Sequence, residues 1–312
     1  MTGAPSSIGT QAATGYLHRD FADSLSQFGQ PHLLPRSGGW ILDRSIAGTS
    51  AQDAMGCYPL FACQDWSQLA EDLEVTHESL VSLALVADPF GNYTLADLQH
   101  CFPDRLIPFK QHCVIELVAS WQDGVSSHHR RNIDKAHRQV TVERCEVPGL
   151  HVEEWIRLYG NLVRRHGITG LTAFSRETFE KQFCVPGLVV FRAVMQGETV
   201  GMLLWMVHGD VAYYHLGAYD DRGYEAGASF ALFSRAIECF FGQLRWLNLG
   251  AGAGTGGQVS GLARFKAGWS KLTRTAYFCG RILNRQRYAE LVNAKGGPET
   301  AYFPAYRAGE FG

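Results

Sequence analysis

The sequence predicts an α/β fold, and three observations carry that prediction. Runs with the period of two expected of strands alternate with runs of helical period along most of the chain. Between residues 188 and 219, three apolar strand-like runs are joined by two tight turns, a pattern that builds an antiparallel meander. The composition is 46% hydrophobic, 12% aromatic and 19% charged over 312 residues, which supplies a sizeable core and enough chain for two domains. A chain so rich in aromatics is not disordered in the main. The net charge of −2 leaves no global basic footprint for nucleic acid.

Residues 1–35, rich in Gly, Ser, Thr, Ala and Gln and without a strong period, are expected to form a loosely held arm. Met1–Asp20 has no basic segment ahead of an apolar core, so it does not read as a secretion signal. The longest apolar run, Val200–Tyr214, is broken by His208 and Asp210 and falls short of the roughly eighteen residues of a membrane helix. These readings predict a cytoplasmic protein with no membrane span.

Strand-like runs follow at Gly39–Asp43 and Tyr58–Cys63, then a helix at Trp66–Leu73 and a strand at Leu80–Val86 closed by the Asp88-Pro-Phe-Gly91 turn. Leu95–Cys101 reads as a short helix. The apolar run Cys113–Ala119 ends at the polar turn Trp121–Gly124. Ser126 is the N-cap of a helix through Arg138 with a thin apolar stripe of Ile133, Ala136 and Val140, and Asp134 is spaced to pair with Arg138. Four Arg/Lys and three His cover the rest of that helix.

From Glu153 a helical face gathers Trp155, Tyr159, Leu162, Val163 and His166, and Ser175 caps a short helix to Phe183. The meander strands are Leu188–Met195, Thr199–Val207 and Val211–Tyr219. After the polar loop Asp220–Ala228, Phe230, Phe233, Ala236, Ile237, Phe240 and Phe241 form the stripe of a helix stopped by Gly242. Arg245–Leu249 and Arg274–Ile282 read as strands, Gly261–Trp269 and Gln286–Val292 as short helices. Trp155, Trp205 and Trp246 sit in apolar patterns that suit either core or pocket lining. The eight cysteines are scattered without a Cys-x-x-Cys pair or a His partner at zinc spacing, so they read as small core hydrophobes in a reducing compartment rather than a metal site.

Two glycine-rich stretches differ in content. Gly252-Ala-Gly-Thr-Gly-Gly257 fits G-x-G-x-x-G formally, but no Asp or Glu occurs from Cys239 to Ala289 to hold a ribose, which argues against a dinucleotide site. Lys266 lacks the glycines of a phosphate-binding Walker loop. The loop Asp220-Asp-Arg-Gly-Tyr-Glu-Ala-Gly-Ala228 lies between a strand and an amphipathic helix, where free N–H groups favour an anion such as a pyrophosphate. An ordinary strand-to-helix turn fits the same spacing.

The order of three strands, an Arg-Gly-x-x-x-Gly loop, a helix and a strand resembles the acyl-CoA-binding core of GNAT-type N-acyltransferases. Tyr213-Tyr-His-Leu-Gly-Ala218, Asn248-Leu-Gly250 and Gly261-Leu-Ala-Arg-Phe-Lys-Ala-Gly268 resemble the series of the BioF2-like acetyltransferase domain and of the related FemAB peptidoglycan-bridge enzymes. Arg130-Arg-Asn-Ile-Asp-Lys-Ala136 is similar to the basic helix that opens that domain. The resemblance spans residues 115–285 and implies a GNAT-like mixed, largely antiparallel sheet flanked by helices. It implies two lobes, a reduced first lobe at residues 36–114 and an acyltransferase domain at residues 115–312.

The implied activity is an N-acyltransferase moving an acyl group from acetyl-CoA or another acyl-CoA, with no metal, to an amine of a small molecule or a cell-envelope sugar. Such chemistry needs a polarised carbonyl, a neutral amine and help for the leaving group. His215 shares a strand face with Tyr213 and Tyr219 and suits either a proton acceptor or a half-buried strand histidine bonded to a neighbour. Lys266, in the Phe-Lys element, would stabilise an oxyanion or hold a phosphate, and Glu225 is a further base candidate. Arg222 with the backbone of Gly223, Tyr224, Ala226, Gly227 and Ala228 would hold the donor's phosphates. Two alternatives stay open: an aminoacyl-tRNA donor met by the basic helix His128–Arg138, and a catalytically silent GNAT-like binding module.

Overall fold

The computed structural model describes residues 12–76, 80–170, 173–252, 261–297 and 300–310. Helix α1 (Arg19–Ser24) precedes an antiparallel ribbon of β1 (Gln30–Leu34), β2 (Gly39–Ser45) and β3 (Gln52–Gly56). Helix α2 (Leu69–Thr76) crosses over to β4 (Leu80–Val86), which runs parallel to β3. Helix α3 (Leu95–Cys101) starts at a Thr94/Asp97 capping box and leads to the long β5 (Arg105–Glu116).

Helix α4 (Ser127–His137), the short β6 (Thr141–Arg144) and helices α5 (Val152–His166) and α6 (Arg176–Gln182) follow. The meander of β7 (Leu188–Met195), β8 (Glu198–His208) and β9 (Val211–Tyr219) forms as its turns and alternation predict. Helices α7 (Asp221–Glu225) and α8 (Ala228–Phe240) then cross over to β10 (Trp246–Gly250), parallel to β9. Helix α9 (Gly261–Ala267), β11 (Thr273–Ile282) and α10 (Arg285–Ala294) complete the set.

Among the described residues eleven strands join one mixed, mostly antiparallel sheet in the order β1-β2-β3-β4-β11-β5-β10-β9-β8-β7-β6. Each half thus repeats one plan, an antiparallel ribbon followed by a helical crossover to a parallel strand. The halves then exchange their last strands: β5 pairs with β10 of the second half, while β11 inserts between β4 and β5. Side chains alternate between two cores on opposite faces of the second half. Met202, Leu204, Met206 and Tyr213 meet α1, α5 and α6, whereas Leu203, Trp205, Ala212 and Leu247 meet α4 and α8.

Several expectations need correction. Of the supposed loose arm, residues 12–34 carry a 3-10 turn, α1 and β1, and Tyr16, Phe21 and Leu25 are fully enclosed against the second half, so a few large apolar residues anchor a polar-looking segment. Residues 1–11 lie outside the described residues, as do residues 253–257 of the second glycine stretch. The division between residues 114 and 115 falls inside β5, because strand exchange leaves no seam there. Tyr58–Cys63 is not a strand: Pro59 has no N–H to donate, and Phe61 alone bridges to Ala87. The strand is Gln52–Gly56, hidden by the buried Asp53, whose carboxylate is held by Arg307 at 2.6 Å. Asp134 and Arg138 form no ion pair among the described residues. Trp155 and Trp205 are core, while Trp246 is partly buried. All eight cysteines are free thiols, six of them buried.

Candidate active site

The meander strand β9 and its parallel neighbour β10 stay paired for only three residues, Val211–Tyr213 against Trp246–Asn248. In the β8–β9 register Trp205 faces Tyr214 and Leu204 faces Leu216, so His215 is an extra, bulged residue. A bulge bends its strand and increases local twist. Beyond Tyr213, β9 has no strand partner on that side among the described residues, and this parting of β9 from β10 is the cleft of the candidate site. The bulge also breaks the simple alternation expected for β9: Leu216 joins the face of His215, and Tyr219 moves to the α8 face.

Lys266 stands at this cleft, and the structure explains the motif around it. Its Nζ donates to the Ala251 carbonyl at 2.6 Å and lies 5.2 Å from the Tyr214 ring centroid. Burial pushes the ammonium down to about 7, against an ordinary value of 10.5. Phe265 offers its carbonyl to Nε2–H of the buried His129 at 2.8 Å. A Cβ on Gly268 would sit 2.0 Å from the His129 ring, so only glycine lets α4 dock against α9. The Phe-Lys-x-Gly series therefore clamps two helices while holding one lysine at the end of β10.

The other sequence candidates do not join Lys266. His215 is buried on the opposite face, where Nδ1 accepts from the Tyr16 hydroxyl at 3.1 Å and Nε2–H donates to Gln182 Oε1 at 3.2 Å. Burial pushes it down to about 3, and with both nitrogens engaged it is a satisfied core histidine rather than a proton acceptor. Arg222 pairs with Glu198 at 2.7 Å and Asp220 at 3.2 Å, and Glu225 is exposed on α7.

The expected phosphate loop is a helical turn capped by Asp220. Gly223 N–H donates to the Asp220 carboxylate, Tyr224 N–H to the Asp220 carbonyl, Ala226 N–H to Arg222 and Gly227 N–H to Tyr224. A Cβ on Gly223 would lie 2.1 Å from the Val200 carbonyl oxygen, so that glycine serves packing on β8, not ligand approach. The Tyr224 ring stacks under Arg165. What remains for an anion is the start of α8, where Gly227 takes a left-handed φ of +65° and no partner of the Ala228 and Ser229 N–H groups occurs among the described residues.

The fold also brings up a pair that local sequence did not single out. His112 on β5 and Asn248 on β10 bond at 3.1 Å across 136 residues, and both are buried. Asn248 Oδ1 also accepts from Gly250 N–H at 2.8 Å, which identifies it as the oxygen and makes His112 Nδ1 the donor. On the same face Arg274 lies 4.2 Å from the Phe90 ring centroid and 4.7 Å from that of Trp246, and donates to the Pro89 carbonyl. Nothing in the run before Cys113 signals this role, because Asn248 reaches His112 only through strand exchange. Among the described residues no cluster of three or more His, Cys, Asp or Glu suits a metal, and no helix is long and apolar enough to cross a membrane.

Residues 125–266 match the acetyltransferase (GNAT) domain family. The matched segment is similar to that family. It holds the bulged β9, the cleft, α8 and Lys266, whereas His112 lies ahead of it. The whole fold is similar to that of FemX, with a TM-score of 0.65 at 12% identity over 87% of this chain and 93% of that one. It is also similar to the C-terminal domain of a putative lysylphosphatidylglycerol synthetase from Agrobacterium fabrum, with a TM-score of 0.59, 15% identity and 90% and 94% coverage. L-PGS from Bacillus licheniformis gives a TM-score of 0.57, 13% identity and 91% and 98% coverage. At such identities the likeness is one of fold. No curated protein matches the chain by sequence.

Proposed function

We propose that this protein is an N-acyltransferase that moves an acyl group from acyl-CoA to the amine of a small molecule or a cell-envelope precursor. The observation that carries the reading is the parting of β9 from β10 after Tyr213, with Lys266 held beside Tyr214 and Ala251 at that point. An extended thioester arm suits a gap between two parting strands, since strand edges offer backbone groups at regular spacing. Two open N–H groups and the positive end of α8 suit the donor's phosphates. While it keeps its proton, below about pH 7, the Lys266 ammonium would stabilise the oxyanion that forms as the amine adds to the carbonyl.

Calorimetric titration with acetyl-CoA and free CoA tests the donor. Wild type should bind both, and Ser229→Glu, which sets a carboxylate at the start of α8, should weaken binding at least about tenfold by opposing the phosphates. No binding to wild type would remove acyl-CoA as donor. Binding without transfer to any amine would favour a silent module.

A second reading, aminoacyl-tRNA as donor, is favoured by one feature. Arg131 and Lys135 on α4, and Arg138 just past its end, are exposed with no acidic partner among the described residues. In that case tRNA affinity should fall steeply with salt as counterions are released, and a flat response would exclude it.

A further inference from the structure

We infer that His112, supplied by the strand that the first half lends to the second, is the group that takes the proton from the incoming amine. The inference deepens the reading just given and rests on it for the identity of the reaction, while the state of the imidazole can be tested without any donor.

The argument is geometric. Strand exchange sets β5 beside β10, with Cys113 opposite Gly250 and Val114 opposite Asn248, so His112 lies where β10 ends and the cleft begins. Asn248 is also the last residue of β10 that pairs with β9. Its carboxamide oxygen is oriented by Gly250 N–H and in turn holds His112 Nδ1–H. Fixing the proton on Nδ1 leaves the lone pair on Nε2, the arrangement a proton acceptor needs. Nε2 has no partner among the described residues, and the residue retains 8% exposure, so the ring is not sealed.

This is the reverse of His215, both of whose nitrogens are spent on core partners. The surroundings keep the imidazole neutral and able to accept a proton, at the cost of a weaker base. Burial presses His112 toward its neutral form and the Asn248 hydrogen bond opposes it; Lys266 from α9 and Lys110 on the same strand add to the lowering, and Asp88, from the turn after β4, opposes them. Arg274 on β11 faces it across the β5–β11 ladder but is occupied by Phe90, Trp246 and Pro89. Burial dominates and pushes His112 down to about 4, so the imidazole is unprotonated throughout the neutral range.

The step balances without a further reactant. The amine nitrogen bonds to the thioester carbonyl carbon, and the carbonyl π pair moves onto oxygen beside Lys266. One amine proton passes to His112 Nε2. The oxygen pair then reforms the carbonyl as the C–S bond breaks with its electrons on sulfur. The imidazolium returns its proton to that sulfur, giving an amide and a free thiol with His112 neutral again.

Two measurements test this. With acetyl-CoA as donor and glucosamine or water as acceptor, thiol release by His112→Asn should fall about a hundredfold or more, the usual contribution of such a group. Its acetyl-CoA affinity by calorimetry should stay within about threefold of wild type, on the same order as no change. A retained rate with an unaltered pH profile would overturn the role of His112.

The second measurement uses 15N-histidine NMR on wild type, and neither a variant's folding nor the donor affects it. It should show His112 as the Nδ1–H tautomer from pH 8 down to about 5.5. An Nε2–H tautomer, or a ring protonated near neutral pH, would also overturn it. If acetyl-CoA fails to bind wild type, the donor reading falls and the nitrogen shifts alone decide for or against His112.

Discussion

Lys266 illustrates how a side chain proposed for chemistry also carries a stability cost. A lysine buried at the end of β10 is held below its ordinary value, at about 7 in the fold against 10.5 in the open chain. Between those two values the unfolded chain keeps a proton that the native protein has released, so this group makes stability rise with pH across that window. We therefore expect the wild-type urea midpoint to climb from pH 7 to 8.5 relative to that of Lys266→Met. Parallel midpoints would show that the lysine is not desolvated. The same variant should be more stable than wild type at pH 7, since it removes a buried ammonium, yet lose about a hundredfold or more in transfer, as removal of an oxyanion partner does elsewhere. At Gly268 the issue is volume. An added Cβ meets the His129 ring at 2.0 Å, and overpacking of this kind costs about 1–3 kcal/mol. Gly268→Ala should lower the urea midpoint accordingly and loosen α4 from α9.

Among the elements, β9 and its connection to α8 decide the most. The bulge at His215 falls two residues past the last β9–β10 pair, where the two strands part. The turn that follows is closed by its own carboxylate: Asp220 caps α7, and Arg222 is tied to Asp220 and Glu198. Arg222→Ala should therefore leave acetyl-CoA affinity within about threefold of wild type, on the same order as no effect, because an exposed pair contributes little. A tenfold loss in that titration would restore Arg222 as a phosphate ligand. Gly223 belongs to the same element for a different reason, since it lets α7 rest on the β8 backbone at Val200.

The exchange of β5 and β11 makes the two halves one cooperative object. Neither edge strand of the join is complete without the other half: β10 relies on β5, and β4 relies on β11. The α1 segment adds Tyr16, Phe21 and Leu25 to the core over the second half. Calorimetry should accordingly show a single unfolding transition for the full chain, and a fragment starting at residue 117 should fail to unfold cooperatively. Two separated transitions would mean that the join contributes little.

Much of this protein is legible from local patterns. The meander, the Ser126 and Ser175 caps, Leu95–Cys101 and the amphipathic α8 follow from period, caps and turn residues, because those signals act within a few positions of one another. Lys266 is put forward differently, by the resemblance of its Phe-Lys-x-Gly series to a family rather than by period or caps. Elements with buried polar residues or few apolar ones, such as β3 with Asp53 and α1 with its single enclosed face, escape such reading because partners far along the chain stabilise them.

The site shows the same division. Period alone put His215 forward, yet a one-residue bulge and the neighbours Tyr16 and Gln182 turned it into core. His112 has no local mark at all; Asn248 gives it a tautomer from 136 residues away. Residue types and short spacings specify which groups are present, but which nitrogen is left with a lone pair depends on long-range pairing, and only the exchanged sheet decides it.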